Sequence, residues 1–143
     1  MLKSRPLVAV CLVLFAPLAV AGPAAPTASI APASSPEAIS PQFKRGKLLF
    51  IQCRACHDVQ AGQPDKVGPN LAGILGRKVA AQPGFGYSPA LRAASFIWDR
   101  ASLDRWLEKP SAVVPGNAMA FAGITEAKDR AALLTYLETA TAR

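Results

Sequence analysis

The sequence predicts an all-α fold, because three segments carry helical periodicity and no segment alternates as a strand does. These segments cover about residues 42 to 54, 99 to 109 and 126 to 140. Long stretches that contain Gly and Pro separate them, which indicates loops. We therefore expect one helical domain in which loops take up much of the chain.

The first predicted helix has one broad apolar face, with Gly46 on it. Five apolar residues form this face: Phe43, Leu48, Leu49, Phe50 and Ile51. Because glycine has no side chain, another helix can approach closely at Gly46.

The second predicted helix has start and stop signals of its own. Asp99 or Ser102 is suited to cap its beginning, and Pro110 ends it. Apolar residues recur at helical spacing within it, namely Leu103, Trp106 and Leu107. Earlier in the chain, Ser88 and Pro89 predict a shorter helical turn, with Ser as the cap and Pro at the first helical position.

The third predicted helix ends the domain. Thr125 is the expected cap, and the buried side consists of Leu133, Leu134, Tyr136 and Leu137.

The N-terminal residues 1–21 have the layout of a secretory signal peptide. Lys3 and Arg5 precede an apolar stretch over residues 7–20, and small residues lead up to an expected cleavage after Ala21. An uncleaved membrane anchor is the alternative, but a spanning helix needs roughly 20 apolar residues. We therefore expect export, and no stable membrane insertion once the signal has been removed.

The chain after the signal divides into two parts. Residues 22–41 are rich in Ala, Pro and Ser and predict a flexible or extended linker. Residues 42–143 are expected to form the folded domain. Without Lys3 and Arg5, 14 of the 16 basic residues remain against nine acidic ones, a formal charge of +5. No basic run is interleaved with aromatic residues, so an acidic protein surface is a better candidate partner than nucleic acid.

The strongest motif is Cys53-Arg54-Ala55-Cys56-His57. Cys-x-x-Cys-His is the attachment signature of c-type haem, in which both cysteines bind the porphyrin and the histidine binds iron. Three alternatives exist. A thiol-disulfide motif is expected within a βαβ pattern, a zinc site needs four good ligands, and a disulfide closing so short a loop restrains the unfolded chain little. The motif favours haem c, attached through Cys53 and Cys56.

Met119 is the candidate second axial ligand. Without the signal, the chain retains one Met and one His. Met119 follows Pro115 and Gly116 in a predicted loop, 62 residues beyond His57, which is enough chain to return on the far side of the ring. A thioether favours ferrous iron and fills the position at which oxygen would otherwise bind. A His57 and Met119 pair thus predicts electron transfer rather than enzymatic chemistry.

Short motifs in the same order along the chain make it resemble the class I c-type cytochromes, the soluble bacterial and mitochondrial type that includes cytochromes c2 and c550. The resemblance runs from about Phe43 to Arg143. Its motifs beyond the haem segment are GPNL at 68–71, GRK at 76–78, GFGYS at 84–88, IWD at 97–99, PGNAM at 115–119 and FAGI at 121–124.

The resemblance implies an all-α class I cytochrome c fold, with helices and loops wrapped around one covalently bound haem. It implies that the N- and C-terminal helices cross, with Gly46 against Tyr136. Pro69 is expected to accept a hydrogen bond from His57 Nδ1. Arg77, Tyr87 and Trp98 are expected to hydrogen-bond a buried haem propionate.

Two positions depart from the mitochondrial members of that family. Asn117 stands where Thr usually donates to a propionate, and we expect its amide to take over that role. Trp106 stands where Tyr is common, and we expect the indole to change the reduction potential.

These features predict a periplasmic electron carrier that is monomeric and not an enzyme. Expected partners are redox proteins with acidic docking surfaces, such as an oxidase, reductase, dehydrogenase or reaction centre. Basic residues near the exposed haem edge are candidates for steering, namely Arg54, Lys66, Lys78 and Lys109. A haem subunit bound to or tethered beside a periplasmic oxidoreductase remains the main alternative. A haem enzyme or gas sensor with an open axial position is the other.

Overall fold

The computed structural model describes residues 40–142. The predicted signal peptide, all of the predicted linker except its last two residues, and Arg143 lie outside them. Six helices follow one another within this range: α1 (Pro41–Leu49), α2 (Ile51–Arg54), α3 (Pro89–Ala93), α4 (Arg100–Glu108), α5 (Pro110–Val113) and α6 (Ala127–Ala140). The described residues form no β-strand, only an isolated antiparallel bridge between Lys78 and Ile97. The all-α prediction is confirmed.

Helix α1 begins with a capping signal. Ser40 is the N-cap, and its hydroxyl accepts a hydrogen bond from the Phe43 amide at 3.1 Å. Pro41 follows at the first helical position, where its missing N–H costs no helical hydrogen bond. Pro41, assigned above to the linker, therefore belongs to the helix.

None of the helices within residues 40–142 is long and apolar enough to cross a membrane.

Helices α1 and α2 together replace the single first helix that the sequence predicts. They meet at Phe50, which is buried. The broad apolar face was wrong at two positions, since Leu48 is 67% exposed and Ile51 is 64% exposed. Residues 48–51 are consecutive, and at 3.6 residues per turn they point around most of the helix, so one packed face cannot cover them all.

Helices α1 and α6 cross at Gly46, as expected. A Cβ atom at Gly46 would overlap the Ala132 carbonyl oxygen and would lie 2.8 Å from Tyr136 Cβ. The Tyr136 ring packs against Phe43 and Phe50, with centroids 5.3 and 5.2 Å apart. The missing side chain therefore lets two backbones touch directly.

Helix α4 has a reciprocal capping box at its start. The Ser102 amide donates to Asp99 Oδ1 at 2.6 Å, and the Asp99 amide donates to Ser102 Oγ at 2.8 Å. Of the two candidates, Asp99 is the N-cap, and Ser102 completes the capping box from within the helix. The helix ends at Glu108, and Pro110 begins the short helix α5.

Helix α6 lacks the predicted cap. Glu126 occupies the N-cap position without a side-chain hydrogen bond to the helix, so the expectation for Thr125 was wrong. The apolar residues predicted for its buried side are all buried, with Leu133 fully so. They form one core with Phe50, Trp98, Leu103, Trp106 and Leu107.

Candidate functional site

The end of α2 carries the Cys-x-x-Cys-His motif. Cys53 lies in the helix, and the chain continues through a turn in which the amides of Cys56 and His57 both donate to the Cys53 carbonyl, at 3.0 and 2.9 Å. This turn brings the two thiols and the imidazole to the wall of one cavity. His57 is only 9% exposed.

The His57 ring is fixed in orientation. Its Nδ1–H donates to the Pro69 carbonyl at 2.8 Å, so Nε2 is the ring nitrogen left to bind a metal. Burial lowers the pKa of His57; the Pro69 hydrogen bond raises it, and the Lys66 charge lowers it further. The net effect favours the neutral imidazole, which is the form that binds metals.

Two further residues hold the motif in place. Gly68 lies against the imidazole, and a Cβ atom there would be 2.7 Å from His57 Nδ1. Lys66 Nζ donates to the carbonyls of Arg54 and His57, at 3.1 and 3.3 Å, and lies 3.4 Å from Asp58 Oδ2. Lys66, a candidate for partner steering, is therefore engaged within the chain.

The thiols do not resemble a redox pair. Burial raises the pKa of Cys53 to about 11, with the nearby Cys56 adding to the effect, whereas reactive cysteines have a lowered pKa. Cys53 and Cys56 do not form a disulfide with each other. Within residues 40–142, no group of three or more His, Cys, Asp or Glu side chains could hold a metal ion. The zinc alternative therefore has no support in this part of the chain.

The cavity beside the motif has a volume of about 310 Å³. All nine predicted site residues line it: Cys53, Cys56, His57, Pro69, Arg77, Tyr87, Trp98, Asn117 and Met119. Much of the remaining wall is apolar and comes from the core, including Phe50, Leu103, Trp106, Leu133 and Leu137.

Polar side chains at one part of the cavity form a local network. Arg77 donates from Nη1 to Gln82 Oε1 at 2.8 Å and from Nη2 to the Asn70 carbonyl at 3.0 Å. Tyr87 Oη accepts a hydrogen bond from the Gln82 amide at 3.3 Å. Burial is the main cause of the raised pKa of Tyr87, so its phenol stays protonated.

The Met119 loop is shaped by Asn117. Asn117 Oδ1 accepts from the Met119 amide at 3.0 Å, and Asn117 Nδ2 donates to the Val114 carbonyl at 2.9 Å. These bonds fold the chain on both sides of Gly116, which has a φ of +80°. Met119 is partly buried and packs against the core.

The cavity fits haem c by its chemistry. Its wall carries two thiols three positions apart and an imidazole with Nε2 available. It also carries a thioether, that of Met119. Protein interiors are densely packed, so an apolar cavity beside these four groups is suited to an apolar ring. Cys53 and Cys56 are positioned to bind the porphyrin, and His57 to bind its iron.

The sequence did not reveal the structural roles of four residues: Lys66, Gly68, Asn70 and Arg130. Asn70 is 4% exposed, and its amide donates to the carbonyls of Gln60 and Gln63. Gly68 and Asn70 lie within the GPNL motif at 68–71, which does not by itself reveal these contacts. Arg130 left a signal of a different kind. It precedes Leu133 and Leu134 by three and four positions, which places a charge on the buried face of α6.

The chain is similar to known cytochromes c. The chain is 41% identical over 95 residues to a cytochrome c2 of Rhodomicrobium vannielii, covering 66% of this chain and 76% of that protein. It is 41% identical over 95 residues to a cytochrome c of Kluyveromyces lactis, covering 66% and 86%. It is 42% identical over 90 residues to a cytochrome c2 iso-2 of Magnetospirillum fulvum, covering 63% and 93%.

No protein-family model matches the chain. The alignments nevertheless cover most of the length of each relative. These relatives are bacterial and eukaryotic cytochromes c. With the helical fold and the Cys53–His57 segment on the cavity wall, the chain belongs to the class I c-type cytochromes, electron-transfer proteins that carry covalently attached haem c.

Proposed function

We propose that this chain is a periplasmic carrier of single electrons whose haem iron is bound by His57 Nε2 on one side and by the Met119 thioether on the other. One observation carries the proposal: His57, Met119 and the two thiols all line the same cavity. The bound haem supplies one-electron oxidation and reduction of iron.

The histidine side of this arrangement has strong support. The Pro69 carbonyl and Gly68 together restrict rotation of the imidazole, one by a hydrogen bond and the other by close contact. A ligand held in one orientation needs little rearrangement when iron changes charge. Fast electron transfer benefits from that rigidity.

The methionine side is supported by the loop that carries it. Asn117 fixes the Met119 backbone, so the thioether starts from a restricted range of positions. A soft thioether stabilises ferrous iron and raises the reduction potential. If His57 and Met119 both held the iron, no position on it would remain for a substrate, which favours a carrier over an enzyme or gas sensor.

The polar part of the cavity is suited to a propionate. Arg77, Tyr87 and Trp98 offer a guanidinium, a phenol and an indole on the same cavity. A buried carboxylate needs such donors. Asn117 uses one N–H for Val114, and its second N–H is the one we propose for a propionate.

The absorption spectrum of the ferric holoprotein tests the ligation. We expect the weak long-wavelength band of iron–thioether ligation in the wild type, and its loss in Met119→Ala. Phe121→Leu, a change to another residue that lines the cavity, should keep the band. A wild-type spectrum without the band would contradict Met119 ligation while leaving haem attachment intact.

Export to the periplasm rests on residues 1–21, which lie outside the described residues. We propose cleavage after Ala21. Cell fractionation followed by N-terminal sequencing of the mature protein tests this, and we expect Gly22 as the first residue. Recovery of an intact N-terminus in the membrane fraction would instead support the tethered haem subunit.

We propose that the partners are redox proteins with acidic docking surfaces. We also propose that the chain binds them as a monomer. Arg54, Lys78 and Lys109 are exposed in the structure and are available to steer them. Association rates measured by stopped flow should fall as ionic strength rises, because salt screens charges beyond roughly 8–10 Å. Rates that do not depend on salt would argue against electrostatic steering.

A further inference from the structure

The side chain of Arg130 is an unusual feature of α6, because a permanent cation is buried on its packed face. The side chain is only 8% exposed. Neighbouring positions on that face hold Leu133 and Leu134, both fully buried or nearly so. A buried charge is tolerated only when it is paired and hydrogen-bonded, so the partners of Arg130 indicate its role.

Asp104 on α4 pairs with the guanidinium. Arg130 Nε donates to Asp104 Oδ1 at 2.9 Å, and Nη2 donates to Oδ2 at 3.4 Å. This fork matches the planar geometry of a carboxylate and fixes the plane of the guanidinium. A second carboxylate, that of Glu108, lies 3.7 Å from Nη1.

The remaining bonds of Arg130 reach the loop that carries Met119. Nη1 donates to the Ile124 carbonyl at 3.0 Å and to the Thr125 carbonyl at 2.8 Å. Ile124 is held from the opposite direction as well, because its amide donates to the Leu107 carbonyl at the end of α4, at 2.8 Å. This caps a helical carbonyl that would otherwise lack a partner.

The adjacent Gly123 shows how closely this part of the loop is packed. Its φ of +106° favours glycine, and a Cβ atom there would be 2.7 Å from the Glu108 carbonyl carbon. Residues 123–125 are thus held between the end of α4 and the side chain of Arg130. They begin four residues after Met119.

We infer that Arg130, oriented by Asp104, is a positioning residue for Met119: it fastens the end of the ligand loop and so keeps the thioether on iron. The inference rests on the Met119 ligation proposed above. At its start the loop is held by Asn117 and α5, and at its end by Arg130 and Leu107. Releasing the end should let Met119 leave iron more often, most readily in the ferric state, which a soft ligand binds less well.

Imidazole binding to the ferric holoprotein measures this opening directly, because imidazole can bind iron only when Met119 has left. In Arg130→Lys the charge remains, but one ammonium cannot replace a fork that reaches a carboxylate and two carbonyls. We expect imidazole to bind at least about tenfold more tightly, because the open state is more populated. Asp104→Asn should also make imidazole bind more tightly, but by a smaller factor.

The matched control is Arg45→Met. It breaks the ion pair between Arg45 and Asp129, which also involves α6 but does not touch the Met119 loop. We expect its imidazole affinity to stay within about twofold of the wild type, since exposed pairs contribute little. The iron–thioether band should weaken in the Arg130 variant and stay unchanged in the control.

The possible outcomes test two statements: the positioning role of Arg130 and the ligation of iron by Met119. Unchanged imidazole affinity in both Arg130→Lys and Asp104→Asn, with the wild-type band present, would overturn the positioning role alone. An equal increase in Arg45→Met would also overturn it, because general destabilisation would then explain the effect. Absence of the band from the wild type would overturn the Met119 ligation, and the positioning role with it.

Discussion

Gly68 lies directly against the imidazole of His57, with its missing Cβ position 2.7 Å from Nδ1 and 2.8 Å from Nε2. In addition, the Pro69 carbonyl accepts a hydrogen bond from Nδ1 at 2.8 Å. Together they restrict both the tilt and the rotation of the proposed iron ligand.

Gly68→Ala should therefore disturb the histidine ligand. The added methyl group forces the ring to move, at a cost of about 1–3 kcal/mol in the free energy of unfolding. Chemical denaturation of the holoprotein measures the loss, and the haem absorption spectrum reports the altered ligand. Ala61→Ser, at a nearby exposed position that does not line the cavity, should leave both unchanged. Equal stability of the Gly68 variant and the wild type would contradict this account.

Gly46→Val should weaken the crossing of α1 and α6. The side chain would meet the Ala132 backbone, which cannot move without displacing α6, so we expect a loss of about 1–3 kcal/mol. The denaturation midpoint measures it. Lys47→Ala, an exposed position on the same helix, is the control and should have little effect. An unchanged midpoint for Gly46→Val would contradict the steric cost predicted for this crossing.

Trp106→Tyr should raise the reduction potential. Trp106 lines the cavity together with Met119 and packs edge-on against Trp98, with ring centroids 5.2 Å apart. A tyrosine hydroxyl that donates to the thioether sulfur would withdraw electron density and favour ferrous iron. Trp106→Phe introduces the ring of tyrosine without its hydroxyl. It therefore separates the effect of the hydrogen bond to sulfur from the effect of the lost volume. A redox titration that gives one potential for Trp106→Tyr and the wild type would refute it.

The ion pair between Arg45 and Asp129 should make stability depend on pH. The hydrogen bond from Arg45 lowers the pKa of the Asp129 carboxyl below its ordinary value. A lowered folded-state pKa adds stability above the unfolded value of about 3.9, and that stability is lost as pH falls through the folded value.

Asp129→Asn should accordingly be less stable than the wild type at neutral pH, and the difference should shrink as the solution is acidified below about pH 4. Denaturation curves at a series of pH values measure this. In the Arg45→Met background the same substitution should have a smaller effect, because the two side chains act together. A difference that is constant with pH would exclude the pair as its cause.

Much of the fold could be predicted because its signals are local. Ser88 with Pro89, and Asp99 with Ser102, begin helices through bonds to residues three positions away.

Two predictions about the helices were wrong for different reasons. The N-cap of α6 is Glu126 and not Thr125, a shift of one residue. Leu48 is as apolar as its neighbour Leu49, and its exposure depends on which side of α1 faces α6, a distant part of the chain.

The residues of the candidate site also divide into those with a local signal in the sequence and those without one. Cys53, Cys56 and His57 form a contiguous motif, so their chemistry could be inferred without the fold. Lys66 and Gly68 support that motif through backbone carbonyls and close packing, which no pattern of residue types encodes. Arg130 depends on an aspartate 26 positions earlier and on two loop carbonyls that only the folded chain brings together.

The contact between Gly46 and Ala132 also links the two ends of the domain. These residues lie 86 positions apart, and α6 is the main packing partner of α1. Closing a segment of that length costs entropy, which the packing of α1 on α6 has to offset. A change that loosens α6 would therefore also remove the support of α1, the helix that leads into Cys53 and Cys56 through α2. The last helix thus helps to hold the attachment segment in place, although the two lie far apart in the sequence.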